Sequence, residues 1–262
     1  MKKFRIFLVL SLIAVTFPIR ACDQSKTVSM PNSADTAAAR APQADCPLKQ
    51  AADTAAFVPH EGFVLVRNLI PDVIEEIRYY TDYNFVGTRI DGYEAPVAIL
   101  SVEAAQALKA VADELRPKGY RIKIYDTYRP QRAVDHFVRW SKDMKDQKMK
   151  SDFYPNISKA VLFKQGYIAS KSGHSRGSTI DMTITDLQGN NVDMGGTFDY
   201  FGVQSHPSYR GKLTKQQLAN RKLLRNAMMS NGFKPIDTEW WHFTLGNEPY
   251  PTTYFDFPVT DH

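Results

Sequence analysis

The chain has 262 residues, 43% of them hydrophobic and 12% aromatic, enough for one sizeable core or at most two small domains. Its formal charge of +5 would suit a nucleic-acid ligand, but Lys2, Lys3, Arg5 and Arg20 all lie in the first 22 residues, which carry no acidic group. Without those four cations the charge falls from +5 to about +1, and the electrostatic case for a nucleic-acid partner goes with it.

The basic start MKKFR precedes an apolar run over residues 6–17, interrupted only by Ser11 and Thr16, and then Pro18 and "IRAC". This pattern predicts an export signal over residues 1–22, too short for a comfortable membrane span, and an exported, periplasmic mature protein. Cleavage before Cys22 would place Ile19-Arg20-Ala21 as a lipobox and attach the protein to the membrane through a lipidated Cys22. Arg20 is unusual in such a box, so simple cleavage nearby is the alternative. Cys46 is the only other cysteine. It stands alone if Cys22 is lipidated and could otherwise close a disulfide with it in an oxidising envelope. Neither arrangement supplies a cysteine metal site or a thiol nucleophile.

Residues 23–56 are rich in Ala, Ser, Thr, Asp and Pro and nearly free of large apolar side chains, as in a disordered tether. From residue 57 apolar and polar runs alternate, with no repeat and no second linker, so residues 57–262 read as one domain. Ser101 can cap a helix that carries Val102, Ala105, Leu108, Ala112 and Leu115 on one face and closes at Pro117-Lys118-Gly119. "YRIKIYDTY" reads as a strand with Ile122 and Ile124 to one side. Pro130 opens a second helix through Val134, Phe137, Val138 and Trp140. "STIDMTITD" alternates as a strand, Ile180, Met182 and Ile184 on one face, Thr179, Asp181 and Thr183 on the other. Thr214 and Gln217 form a capping-box pattern for a third helix ending at Gly232. "EWWHFTL" reads as a closing strand. The irregular order of helices and strands predicts an α+β fold.

The residues able to do chemistry gather in two stretches. In "SKSGHSRGSTIDMTITD", His174 sits seven positions before Asp181, and the turn at Ser175-Arg176-Gly177 can fold it back beside that carboxylate. In "TEWWHF", Glu239 lies three positions before His242. Two imidazoles and a carboxylate are ordinary zinc ligands, and catalytic zinc sites use three protein ligands with a position left for water. A spare carboxylate beside them could handle the water's proton. Singly, each residue has a plainer reading: a solvated loop histidine, a strand aspartate bonded to neighbouring hydroxyls, or a strand end beside a tryptophan-rich core. Glu239 and His242 would also point to opposite faces of a regular strand, so Glu239 is expected in the entering turn.

Together the two stretches resemble the zinc D-Ala-D-Ala metallopeptidases, whose pattern is Ser-x-His-x-x-Gly-x-Ala-x-Asp followed later by Glu-x-Trp-His. More narrowly, the chain is similar to the D-alanyl-D-alanine dipeptidases of the vancomycin-resistance (VanX) type over roughly residues 60–258. The likeness runs through "NFVG", "DGYE", "YDTYRPQRAV", "YPNI", "GYIASKSGHSRGS", "MGGTFDYF", "NRKLLRNAMMSNGF" and "EPYPTTYFDFPV". Thr179 departs from the pattern's alanine, which bears on the packing behind Asp181.

The resemblance implies a single α+β domain of the hedgehog/DD-peptidase kind, a mixed or antiparallel sheet with flanking helices and one Zn2+ in a central cleft. It implies that His174, Asp181 and His242 hold the zinc, that Glu239 is the general base, and that Arg129 of "TYRP" stabilises the tetrahedral intermediate. Ser172 would touch the substrate; Tyr93 and Asp199 would hold its free amino end. Trp240 and Trp241 read as packing and site wall. The implied substrate is D-Ala-D-Ala or a related small peptide, split into two D-alanines. The rivals are a D,D-carboxypeptidase or L-Ala-D-Glu-type peptidase acting on peptidoglycan stems, and a noncatalytic envelope-binding lipoprotein.

Overall fold

In the computed structural model, which describes residues 59–262, the elements run in chain order. They are β1 (Phe63–Leu65), α1 (Val66–Leu69), β2 (Ile74–Glu75), β3 (Ile99–Ser101), α2 (Val102–Leu115), β4 (Tyr120–Asp126), α3 (Gln131–Lys142), α4 (Lys150–Phe153), β5 (Thr179–Asp186), α5 (Lys215–Ser230), β6 (Phe233–Pro235) and β7 (His242–Leu245). The export signal, the tether and both cysteines lie outside the described residues.

Five strands form one mixed sheet in the order β2-β4-β5-β7-β6. β2 runs parallel to β4 and every other pairing is antiparallel. β1 and β3 make a separate antiparallel pair. Helix α2 packs against β4 and α5. The expected α+β class holds.

The capping signals read from sequence are realised. The Ser101 hydroxyl accepts from the Ala104 N–H at 3.3 Å, and Thr214 and Gln217 exchange both bonds of a capping box. The closing strand is shorter than "EWWHFTL" suggests. It begins only at His242, because Glu239, Trp240 and Trp241 lie in the bend that enters it.

β5 is the central strand. Ile180, Met182 and Ile184 enter the core as the alternation predicts, yet Thr179, Asp181 and Thr183 on the other face are buried too. A buried hydroxyl without a partner costs roughly 1–3 kcal/mol. Thr179, the departure from the family pattern, avoids that cost by sharing a 2.9 Å hydrogen bond with the Thr244 hydroxyl across the strand pair.

One irregularity decides what the polar face presents. β4 and β5 pair Ile124 with Met182, but the next pair is Asp126 with Asp181, a bulge that leaves Tyr125 extra. In a regular ladder Asp126 would share the core face of Ile124. The inserted residue turns it onto the face of Asp181. Asp181 in turn pairs with His242 on β7. Three adjacent strands therefore set Asp126, Asp181 and His242 in a row on one face.

The turn before β5 is fixed by a glycine. Gly177 has φ +80°, and a Cβ there would lie 2.1 Å from Cε1 of Phe63, so backbone conformation and packing both exclude a side chain. The C-terminal segment crosses the same region. The Phe255 N–H donates to the Ser175 carbonyl, the Gln131 N–H to the Phe255 carbonyl, and Phe257 stacks on Tyr128 with ring centres 4.0 Å apart.

Candidate active site and metal centre

His174 sits in the short 3-10 turn Gly173–Arg176 and is 1% exposed. Its Nδ1 lies 2.7 Å from the Thr127 carbonyl, which can only accept, so Nδ1 carries a proton and Nε2 is the nitrogen turned toward Asp181 and His242. Nε2 faces Asp181 Oδ2 at 3.2 Å and His242 Nδ1 at 3.3 Å. His242 Nδ1 lies 3.0 Å from Asp181 Oδ1. One donor atom from each residue falls within a 4.8 Å cluster. Donors held about 2.0–2.1 Å from one centre at tetrahedral angles stand about 3.3 Å apart. The two nitrogens meet that spacing and each lies beside an Asp181 oxygen, so the three residues can close on a single zinc ion. The Nδ1–H of His174 on a carbonyl is also the outer bond that metal-ligating histidines use to fix ring and tautomer.

Glu239 stands beside this cluster, its nearer oxygen 3.5 Å from His242 Nδ1 and its side chain 28% exposed. As expected, it occupies the bend before β7. Arg129, in the loop after β4, donates through Nε to Asp126 Oδ2 at 2.9 Å, and its Nη2 makes an ion pair with the same oxygen at 2.8 Å. Its Nη2 is 3.6 Å from Asp181, and its guanidinium lies over the rings of Tyr79 and Phe137.

The side chains alone create a steep local field. Burial would raise the Asp181 carboxyl, but the charges and hydrogen bonds of the two histidines hold it far below the ordinary range. Burial works against the His242 cation, yet the Asp181 carboxylate outweighs it and raises the imidazole. Glu239 is raised, first by burial and then by the negative charge of Asp181, although His242 and Arg129 pull the other way. A carboxylate raised in this manner is suited to carrying a proton in both directions.

His174, Asp181, His242, Glu239 and Arg129 all line one cavity of about 220 Å³, together with Ser172 and Asp199. The Ser172 oxygen accepts from the His174 N–H at 3.3 Å, which leaves its O–H as a donor. Asp199 holds a left-handed backbone at φ 59°, uncommon outside glycine. Burial and the charge of Asp181 push its carboxyl well above the ordinary range.

Tyr93 is the exception. It does not line the cavity; it is 2% exposed, and its hydroxyl donates to Asp126 Oδ1 at 2.6 Å. The expected substrate contact gives way because its one hydroxyl is committed behind the site. Tyr79 lines the cavity in its place, with its hydroxyl donating to Asp199 Oδ2 at 2.7 Å. Nothing in "RYY" separates Tyr79 from a core tyrosine.

Asp126 also escaped the sequence reading. It is fully buried, it receives Tyr93 and Arg129, and its Oδ2 lies 3.3 Å from His174 Nδ1. Burial raises its carboxyl, with Arg129 and His174 opposing. Trp240 and Trp241 are buried and stacked edge to face, and neither lines the cavity of the three donors.

Comparison with known proteins matches residues 59–260 to a family model described as D-Ala-D-Ala dipeptidase. The chain is 39% identical to a D-alanyl-D-alanine dipeptidase of Enterococcus faecium over 199 residues, 76% of this chain and 98% of that protein. It is 41% identical to one from Enterococcus faecalis, over 76% of this chain and 98% of the relative. A third, from Streptomyces coelicolor, is 40% identical over 75% and 98%. Solved structures resemble the chain more distantly: a zinc complex of a vancomycin-resistance D,D-pentapeptidase has TM-score 0.37 and 12% identity, covering 60% of this chain and 78% of that one. The sequence matches carry the assignment, and the family model extends over all the cavity residues named above. The chain belongs to the D-Ala-D-Ala dipeptidase family and is a peptidase.

Proposed function

We propose that this protein is an exported zinc peptidase that hydrolyses D-Ala-D-Ala to two D-alanines, with one ion held by His174, Asp181 and His242. The carrying observation is the convergence of those three residues, the two imidazole nitrogens 3.3 Å apart and each 3.0–3.2 Å from one or the other Asp181 oxygen, with Glu239 beside them in the same cavity. When bound, zinc supplies Lewis acidity, lowering the pKa of a coordinated water toward about 7 and polarising the scissile carbonyl.

The protein's own groups do the rest. Glu239 takes the proton of the attacking water and passes it to the leaving amine, a role for which its raised carboxyl is matched. Arg129, held by a hydrogen bond and an ion pair to Asp126, presents a fixed positive charge to the oxyanion that develops on the carbonyl. Asp199, with Tyr79 bonded to one of its oxygens, receives the free ammonium end. The Ser172 hydroxyl donates to the free carboxylate. A cavity of about 220 Å³ lies below the roughly 300–1,000 Å³ of sites for drug-sized ligands and suits a dipeptide. Reading both charged termini also disfavours longer peptides, which would leave those groups buried and unpaired.

One observation favours a second reading, a stem-trimming D,D-carboxypeptidase or L-Ala-D-Glu-type peptidase. A groove of about 540 Å³ adjoins the catalytic cavity and shares Gly166, Tyr167, Phe201, Thr238 and Glu239 with it. The deciding experiment compares hydrolysis of D-Ala-D-Ala and of a pentapeptide stem, each with chelation and zinc restoration. Faster cleavage of the dipeptide is expected; preference for the stem would transfer the assignment. Binding of muropeptides by the metal-replete protein without hydrolysis would instead make it a noncatalytic envelope lipoprotein.

The N-terminal segment supports export, with or without lipid on Cys22. An exported enzyme cannot reach the cytoplasmic pool of wall precursors, so its proposed role is dipeptide scavenging or wall turnover. Recovery of the active protein from the cytosol with Met1 intact would remove the basis for this role.

A further inference from the structure

The catalytic cavity of about 220 Å³ and the adjoining groove of about 540 Å³ are divided by residues that line both. Tyr167 and Phe201 are the bulky ones; Gly166, Thr238 and Glu239 complete the shared boundary. The two rings stack, with centres 4.9 Å apart and planes 24° from parallel. Phe201 is the anchored member: it is 6% exposed, packs on Phe85 with ring centres 5.1 Å apart, and donates its N–H to the Phe153 carbonyl at 2.8 Å. Tyr167 is the outer, half-buried member. Gly166 beside it adds no bulk, since even a Cβ there would meet nothing within 4 Å. The Tyr167 ring is therefore the removable part of the wall.

The groove behind that wall has the lining of a peptide subsite. Asn156, Gln165 and Gln204 bring carboxamides, which can both donate to and accept from a peptide backbone. Ile157, Tyr200 and Val203 add apolar surface, and Val203 is 61% exposed. Apart from Glu239 at the shared boundary, no Asp, Glu, Lys or Arg lines the groove, so it is built for a neutral chain rather than an ionic ligand. Its position along the chain also has a direction. Asp199 lines the cavity, and the residues that follow it, Tyr200, Gly202, Val203 and Gln204, line the groove. A peptide lengthened at the ammonium end that Asp199 receives would be led along this loop and meet Tyr167.

We infer that Tyr167, backed by Phe201, is a specificity-determining residue: its ring closes the catalytic cavity against a groove shaped for the amino-side residues of a longer peptide, and so holds hydrolysis to dipeptides. The inference rests on the dipeptidase reading proposed above. Two obstacles then face a longer peptide, the unpaired Asp199 and the bulk of the Tyr167 ring. Substitution at position 167 leaves Asp199 in place, so it isolates the second.

The test compares kcat/KM for D-Ala-D-Ala and for L-Ala-D-Ala-D-Ala, read as release of the last D-alanine. It uses the zinc-loaded full chain, Tyr167→Ala and Tyr167→Phe. Zinc content and Tm check that each variant folds, and Tyr167→Leu replaces the alanine variant if that one does not. The tripeptide-to-dipeptide ratio is expected to rise at least about tenfold in Tyr167→Ala and to hold in Tyr167→Phe, since changes in pocket size are worth about 10–200-fold. An unchanged ratio in the folded, zinc-loaded alanine variant would overturn the partition and leave the dipeptidase reading intact. An equal rise in Tyr167→Phe would do the same, because that variant keeps the ring. A wild type that already prefers the tripeptide would overturn both.

Discussion

Tyr79 and Tyr93 are both buried tyrosines whose hydroxyls donate to an aspartate, yet they serve opposite sides of one site. Tyr79→Phe frees an oxygen of Asp199 inside the cavity and is expected to change KM for the dipeptide. Tyr93→Phe leaves Asp126 short of one donor, so Tm should fall by the equivalent of about 1–3 kcal/mol while KM holds. Steady-state kinetics beside thermal melting separates the two, and a KM effect confined to Tyr93→Phe would reinstate it as the substrate contact. Asp126→Asn bears on the metal. Its carboxylate steadies both Arg129 and the ring of His174, and loss of such an outer partner weakens zinc binding by about 10–100-fold, measurable by competition with a chelator. The donors and Glu239 were legible because their spacing belongs to a motif. Asp126 and Tyr79 were not, because what distinguishes them is which cavity their backbone faces.

Helix limits were readable from local chemistry. The Ser101 cap, Pro130 and the Thr214/Gln217 box each act within one turn. The strand ladder was less so. A bulge at Tyr125 depends on how β4 meets β5, and no residue of "YRIKIYD" signals it, although it alone brings Asp126 onto the catalytic face. Two predictions belong to this scale. Gly177→Ala forces a left-handed alanine against Phe63 and should cost at least about 1–2 kcal/mol, read as a lower urea midpoint. Glu75 on β2 accepts from the Ala98 N–H at 2.8 Å, but burial raises its carboxyl despite that bond and the charge of Arg67. The folded state thus holds this proton more tightly than the unfolded chain. The stability it brings is complete below the ordinary glutamate value and is lost as pH rises through the folded one. Glu75→Gln keeps an acceptor for Ala98, so its Tm should exceed the wild type's at about pH 7, with the gap closed by about pH 4.

Over the whole molecule, the site is assembled from distant parts of the chain. The His174 turn is pinned by the C-terminal segment through Phe255, His242 follows α5 and β6, and Arg129 follows β4. Among the described residues no helix is long and apolar enough to cross a membrane, so the proposed attachment rests on the N-terminal segment alone. The α+β class was legible from the irregular order of elements, whereas the convergence of the two motif stretches became visible only once β5 paired with β7. That convergence matters only if the three donors hold the ion while Glu239 remains free to move protons. The most direct measurement determines zinc per chain and kcat on D-Ala-D-Ala for the wild type and for Glu239→Ala. One zinc in each protein, with kcat reduced by about 10²–10⁴ in the variant, is the expected result. A variant that loses its zinc, or one that keeps zinc and turns over at the wild-type rate, would contradict the division of labour between the three donors and the glutamate.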